Sequence, residues 1–127
     1  AKKTLDVAVI ILDSPIQLAS YPTLNPNKLA NGTEVVNVGR IKDGSLSTTT
    51  LYYGAPVAVT DGAPSFPMAY RSPVLIQSGD SGGPVYAGTG ASRTVVGVNS
   101  GAGGSTQVLA RIDLAYAKIQ QLIAANP

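Results

Sequence analysis

Short runs of apolar residues, many of them β-branched, alternate along this chain with Gly, Pro, Asn and Asp, which predicts strands joined by turns. The longest apolar run lies inside a predicted strand at residues 5–12, which the turn residues Asp13-Ser14-Pro15 close. Further strands are predicted, in chain order, at 34–39, 48–53, 55–60, 85–86, 94–98 and 107–112. The pattern indicates an all-β fold built from antiparallel strands.

One segment follows a helical period instead of a strand period. Its apolar positions form a single stripe at Ile112, Ala115, Tyr116, Ile119, Leu122 and Ile123. Asp113 or a neighbour is predicted to cap this helix, and Asn126-Pro127 to end it. We expect a C-terminal helix that packs on the sheet, and not a membrane or partner helix.

Residues that favour turns and loops separate the remaining segments of the chain. Residues 16–31 are rich in Pro and Asn and predict a loop, and Asp43-Gly44 predicts the turn of a hairpin at residues 40–47.

A chain of 127 residues corresponds to one domain, and 44% hydrophobic with 13% charged residues is typical of a globular protein. No apolar run is long enough to span a bilayer.

Charge and the absent residue types exclude several classes of function. The net charge is only +2, and the nine basic residues are scattered, which is not the footprint of a nucleic-acid-binding protein. The chain has no Cys, so disulfides, thiolate metal sites and a Cys nucleophile are excluded. It also has no His, the residue that most often acts as a general base.

The candidate chemistry lies in Gly79-Asp80-Ser81-Gly82-Gly83-Pro84. A serine between glycines can present its Oγ and its own N–H to a carbonyl without steric obstruction, and the N–H of Gly79 can turn to the same point. The alternative is a glycine-rich turn that leads into the next strand.

This hexapeptide resembles the nucleophile loop of the chymotrypsin/trypsin-like serine peptidases. The resemblance implies that Ser81 is the nucleophile and that the N–H groups of Gly79 and Ser81 form the oxyanion hole. It also implies that Asp80 is a buried carboxylate that locks the loop by pairing with a cation.

A second resemblance to the same family lies at residues 6–15, Asp-Val-Ala-Val-Ile-Ile-Leu-Asp-Ser-Pro, which is similar to the segment that carries the triad aspartate. It implies that Asp6 orients a catalytic His; the alternative is a solvated Asp where a strand begins. Triads of this family run His, Asp, Ser along the chain. A break between the His and the Asp would therefore leave a chain without His.

The resemblance also implies residues that bind substrate. Leu75 and Ser78 fall in the stretch that floors the side-chain pocket, where Leu75 disfavours a basic side chain, although Leu75 can equally be core. Ser100 corresponds to the serine that contacts the triad Asp, and Gly101 replaces a bulky aromatic residue. The glycines at 101, 103 and 104 can also suggest a phosphate loop, but the Lys-Ser/Thr that would follow is missing.

Taken together, the resemblance implies an antiparallel β-barrel of the trypsin type with a C-terminal helix. Residues 1–31 are expected to end the first barrel and cross to the second, which residues 32–127 form. The implied function is that of a secreted or periplasmic bacterial serine endopeptidase without cofactor or metal. We expect a partner chain that supplies the His, peptide or protein substrates, inactivity of this chain alone, and no nucleic-acid or membrane partner. The alternative is an inactive homologue that serves as a binding or scaffold module.

Overall fold

A computed structural model describes residues 3–127 as a curved β-sheet, a small separate hairpin and one helix. The strands are β1 (Thr23–Leu24), β2 (Glu34–Gly39), β3 (Ile41–Lys42), β4 (Ser45–Leu46), β5 (Tyr52–Tyr53), β6 (Val57–Ala58), β7 (Thr60–Asp61), β8 (Ala69–Pro73), β9 (Pro84–Ala87), β10 (Thr94–Gly103) and β11 (Thr106–Arg111). A 3-10 turn covers Gly90–Ser92, and helix α1 covers Tyr116–Ala125. The predicted antiparallel sheet with a C-terminal helix is confirmed.

The sheet runs in the order β5-β2-β9-β10-β11-β8-β7, with β6 added to β2 and β1 added to β10. All pairings are antiparallel except that of β1 with β10. β6 pairs with β2 near one end of the sheet and β7 pairs with β8 at the other. Because Val59 alone separates β6 from β7, this one segment links the two ends of the sheet.

The core of the sheet consists of side chains from one face of successive strands, as the two-residue period of a strand requires. The central cluster is fully buried and contains Val35, Val59, Tyr70, Val85, Val96 and Leu109. Within this cluster, the register places Leu109 directly opposite Tyr70. Burial of this apolar cluster supplies the main driving force for folding the sheet.

Helix α1 covers a second, smaller cluster. Its buried members are Ile112, Ala115 and Ile119, packed against the half-buried Leu5, Val7, Leu24, Val95 and Val98. The predicted stripe and its packing on the sheet are therefore confirmed, except that Ile123 is exposed. With 10 residues, α1 is too short to span a membrane, and no other described helix is long enough.

The predicted Asp113 cap is wrong. The helix begins after Ala115 without a side-chain cap. Asp113 instead forms an ion pair with Arg111, at 2.5 Å between Arg111 Nη2 and Asp113 Oδ2, and both side chains are largely buried. A buried guanidinium is a stronger partner for the carboxylate than the N–H groups at a helix start.

The predicted strand at residues 5–12 does not form. Leu5 and Val7 are half-buried against α1, whereas Val9, Ile10, Ile11 and Leu12 are exposed, with Ile10 82% exposed. A strand needs backbone partners, and none of the other described segments pairs with this one. The apolar composition of a strand is present here without a sheet to join.

Several further elements differ from prediction, among them β1 within the predicted loop at 16–31 and the unpredicted β8, whereas the hairpin agrees with it. Of the strands predicted at 48–53 and 55–60, only the short β5, β6 and β7 form. The first prediction is shortened because Ser47 Oγ accepts the N–H groups of Thr49 and Thr50, which holds that segment in a turn. β10 runs five residues beyond the predicted 94–98 because β11 pairs with it as far as Gly103. The hairpin turn is confirmed, with β3 and β4 paired around Asp43-Gly44, both at positive φ.

Candidate active site

The loop at residues 77–83 lies in the connection from β8 to β9, and its conformation requires glycine. Gly79 and Gly82 have φ of +102° and +85°, which side chains rarely tolerate. A Cβ at Gly83 would lie 2.4 Å from the carbonyl oxygen of Val38. The glycines that the sequence singled out therefore serve tight backbone geometry.

The loop leaves its chemical groups free. Ser81 is exposed, and its Oγ has no hydrogen-bond partner among residues 3–127. In the same residues, the N–H groups of Gly79 and Ser81 donate to no acceptor, whereas those of Asp80, Gly82 and Gly83 are all bonded. Within the described residues, the two N–H groups expected to hold an oxyanion are thus unpaired, as is that of Ser78, whereas the other four of residues 77–83 are bonded.

Asp80 is buried, as predicted, but its carboxylate binds backbone groups. Oδ1 accepts the N–H groups of Arg40 and Ile41 at 2.9 and 3.0 Å, and Oδ2 accepts that of Gln77 at 2.9 Å. Among residues 3–127 no cationic side chain pairs with it, contrary to the expected ionic lock. Three N–H donors satisfy a buried carboxylate well, so the described part of the chain stabilises Asp80 without a cation.

The β3–β4 hairpin is tied to the same loop. The N–H of Gly44 donates to Gln77 Oε1 at 2.8 Å, and the Ile41 side chain lies so close to Gly79 that a Cβ there would meet it at 2.9 Å. Together with the hydrogen bonds from Arg40 and Ile41 to Asp80, these contacts hold the loop against the hairpin.

Asp6 and Ser100 meet although they lie 94 positions apart in the sequence. Ser100 Oγ donates to Asp6 Oδ2 at 2.7 Å, the contact that the resemblance leads one to expect. Both side chains border a cavity of about 500 Å³, where Gly101, Met68 and Val108 also line the wall. Asp6 thus has a fixed partner on β10 even though its own segment forms no strand.

The predicted substrate-binding residues do not share one cavity. Ser100 and Gly101 line the larger cavity, whereas Leu75 lines a second one of about 320 Å³ together with Tyr52 and Asp80. Leu75 faces Gly54, where a Cβ would lie 2.8 Å from Leu75 Cδ1. Ser78 is exposed and borders neither cavity. The structure therefore separates Leu75 from Ser100 and Gly101.

Sequence reasoning missed the buried amides beside this site. Asn37, Asn99 and Gln107 are at most 4% exposed and are hydrogen-bonded to one another in a chain. No motif marks them: Asn37 and Gln107 are isolated polar residues within predicted strands, and Asn99 follows the strand predicted at 94–98. Residues 3–127 contain no group of three or more acidic side chains placed to bind an ion.

Comparisons with known proteins show the fold. No protein-family model and no curated protein matches the sequence. Among solved structures, a mutant of human heparin binding protein (CAP37) matches with a TM-score of 0.70 and 22% identity, over 88% of this chain and 55% of that one. The scabies mite inactivated protease paralogue S-I1 matches with a TM-score of 0.69 and 20% identity, over 90% and 58%. The chain therefore has a trypsin-like fold and spans little more than half the length of these structures.

Proposed function

We propose that this chain is the C-terminal portion of a trypsin-like serine endopeptidase, in which Ser81 is the nucleophile and Asp6 orients a histidine from an N-terminal segment or partner chain. The observation that carries the proposal is the hydrogen bond between Ser100 and Asp6. It gives a carboxylate on a segment that forms no strand a defined position against β10, the strand on which Asn99 bonds to the nucleophile loop. A glycine-rich turn with no catalytic role would not require that contact.

The proposed reaction proceeds through an acyl-enzyme. Ser81 Oγ attacks the peptide carbonyl carbon and passes its proton to the histidine, while the N–H groups of Gly79 and Ser81 bind the oxyanion. The C–N bond then breaks, and the imidazolium gives its proton to the leaving amine. Water, deprotonated by the same histidine, attacks the acyl carbon of the Ser81 ester; the bond to Ser81 Oγ then breaks, and the imidazolium returns the proton to Oγ. Asp6 holds the imidazole in the required tautomer.

The edge of β10 supports binding of an extended peptide. β9 pairs with β10 only as far as Val98, and Asn99 bonds to the nucleophile loop. From Ser100 to Gly103, β10 is paired with β11 alone within the described residues. An unpaired strand edge can accept a peptide as an added strand, and Gly101 leaves space above it.

The proposed partner would cover the exposed apolar residues 9–12. These residues follow Asp6 closely in the chain, and the match covers only 55% and 58% of two solved structures with this fold. We infer that a polypeptide carrying the remaining strands and the histidine pairs with this segment. The association would be non-covalent, since this chain has no Cys with which to form a disulfide to the partner.

A serine-directed fluorophosphonate probe tests the proposal. Native mass spectrometry first establishes whether a histidine-bearing segment accompanies the chain in protein purified from its source. In such a sample the probe should label Ser81, and Ser81→Ala should abolish labelling. Labelling at another residue, or none in a sample shown to contain the histidine, would overturn the assignment of Ser81.

A second candidate function is that of an inactive homologue that binds a partner. It is favoured by the absence of His from the chain and by the likeness to a protease paralogue described as inactivated. The same experiment separates the two functions. Assembled protein that never reacts with the probe but retains a partner would be a binding module.

A further inference from the structure

The buried amide network is defined here as Asn37, Asn99 and Gln107, with the hydroxyl of Ser72. Asn37 Nδ2 donates to Asn99 Oδ1 at 2.7 Å, and Gln107 Nε2 donates to Asn37 Oδ1 and to Ser72 Oγ, both at 2.9 Å. These residues come from β2, β10, β11 and β8, so the network crosses the inside of the sheet. Among residues 3–127 no buried side-chain polar atom lacks a partner.

Both ends of the network hold the segment around Ser81. At one end, Gln107 Oε1 accepts the N–H groups of Leu75 and Ile76 at 2.9 and 3.0 Å. At the other end, Asn99 Nδ2 donates to the carbonyl oxygen of Asp80 at 3.2 Å. The bonds therefore bracket the residues from 77 to 79, which include Gly79 with its free N–H group.

Asn99 makes most of these contacts. Its N–H donates to the carbonyl of Gly83 at 2.9 Å, and its own carbonyl accepts the N–H of Gly82 at 2.8 Å. Nδ2 also donates to the carbonyl of Val38 at 3.0 Å, which joins β2 to the loop. One residue, 2% exposed, thus fixes three of the four positions from 80 to 83 and leaves only Ser81 free.

We propose that Asn99 is the positioning residue of the nucleophile loop, and that the amide network holds the loop in the conformation with free Gly79 and Ser81 N–H groups without a charged lock. The proposal rests on the proposed function where it takes Ser81 as the nucleophile. The hydrogen bonds between the amide network and the loop do not depend on that role. A buried amide is costly unless every group is bonded, so a network of three is expected to be rigid and to admit one arrangement. Since its members are neutral, salt has no charge pair to screen.

Residue-specific amide hydrogen exchange tests the proposal in this chain. In the wild type, the Gly82 and Gly83 amides should be protected like those of β10 and β11, and 1 M NaCl should leave that ratio unchanged. In Asn99→Leu the strands should keep their relative protection, while Gly82 and Gly83 should exchange about tenfold faster than the strands or more. A purely structural role would raise exchange at all these amides by the same factor.

Ser72→Ala provides the matched control. It removes a buried member of the same network that does not reach the loop, so the ratio of loop to strand exchange should change less than about threefold. If Asn99→Leu fails to fold, the wild-type measurement decides, because Gly82 and Gly83 amides that open locally, or lose protection in salt, overturn the proposal. The result does not depend on Ser81 reacting with any probe, so the two proposals can fail separately.

Discussion

A Cβ at Gly39 would lie 2.2 Å from Asp80 Oδ1, so the end of β2 and the buried carboxylate are in direct contact. Only a residue without a side chain lets Asp80 approach closely enough to accept the N–H groups of Arg40 and Ile41. The sequence marked Gly39 as the last residue of a strand, and the structure adds the reason that it must be glycine.

Gly39→Ala should therefore destabilise the chain by about 1–3 kcal/mol, the usual cost of forcing a methyl group into a packed site. Asp80 or β2 must shift, and the carboxylate loses donors. Urea unfolding measures the change. Gly103→Ala is the control, because a Cβ there meets nothing within 4 Å and the φ is not positive. Equal stability of the two variants would contradict the packing argument.

The two ion pairs seen among residues 3–127 should contribute very differently to stability. Arg111 and Asp113 are 10% and 8% exposed, whereas Lys28 and Asp61 are 45% and 32% exposed. Asp113→Ala leaves a buried guanidinium unpaired and should cost about 3–5 kcal/mol. Lys28→Ala should cost less than about 1 kcal/mol, because water solvates what remains. Thermal or urea unfolding of both variants gives the comparison, and similar losses would contradict it.

Stability should fall in alkaline solution through Tyr70. Burial raises the pKa of Tyr70 above its ordinary value of 10.0, and the neighbouring Asp113 adds to this effect. The folded chain then keeps the phenol proton at a pH where the unfolded chain has lost it, so this contribution is fully present below pH 10 and is lost as the pH rises through the folded value. Unfolding free energies measured from pH 8 to 11 should fall less steeply in Tyr70→Phe. Tyr53→Phe, 80% exposed in the wild type, should leave the slope unchanged.

Removal of the Ser100 hydroxyl should impair catalysis if the proposed function is correct. Ser100→Ala deprives Asp6 of a charge-assisted hydrogen bond, which corresponds to about a tenfold or larger loss of kcat/KM in the assembled enzyme. Steady-state kinetics with the histidine-bearing segment present would measure it. Ser105→Ala, in the exposed turn before β11, should be neutral. An unchanged kcat/KM in Ser100→Ala would remove the main support for Asp6 as the orienting residue.

The exposed apolar residues predict self-association. Ile10→Ser with Ile11→Ser should reduce light scattering of the isolated chain at equal concentration, because these side chains are 82% and 50% exposed and contact little. Stability should change by less than about 0.5 kcal/mol. Leu5→Ala, at the half-buried contact with α1, should instead lower stability. Scattering that is unaffected by the Ile10 and Ile11 changes would indicate that this surface is not the site of association.

The parts of the fold that could be predicted are those fixed by local signals. The strand at 34–39 and the Asp43-Gly44 turn were located correctly, because β-branched residues and a positive-φ dipeptide act within a few positions. The glycine-rich loop was likewise visible as a contiguous motif. Its glycines could be expected to adopt positive φ, whereas the bond from the Gly82 N–H to the Asn99 carbonyl is a long-range contact.

The remaining features depend on long-range contacts. Residues 5–12 have the composition of a strand, and no local signal tells whether a partner is present. The amide network joins positions 62 and 70 residues apart, and amide side chains within strands carry no motif. The backbone donors of Asp80 were also invisible, because any residue supplies an N–H group. These contacts require the three-dimensional register of β2 against β9 and of β10 against β11.

The neutrality of the amide network also bears on how the molecule would respond to acidity. Amide groups neither gain nor lose protons in the range where proteins remain folded, so the hydrogen bonds that Asn99 makes to the loop do not change with pH. The hydrogen bonds of the amide network would then hold the loop, while the histidine would transfer the protons. If a histidine-bearing segment completes the site, that segment would set the acid limb of the pH–rate profile of the assembled enzyme. Replacing the segment by another could then shift the pH range of activity without changing the loop.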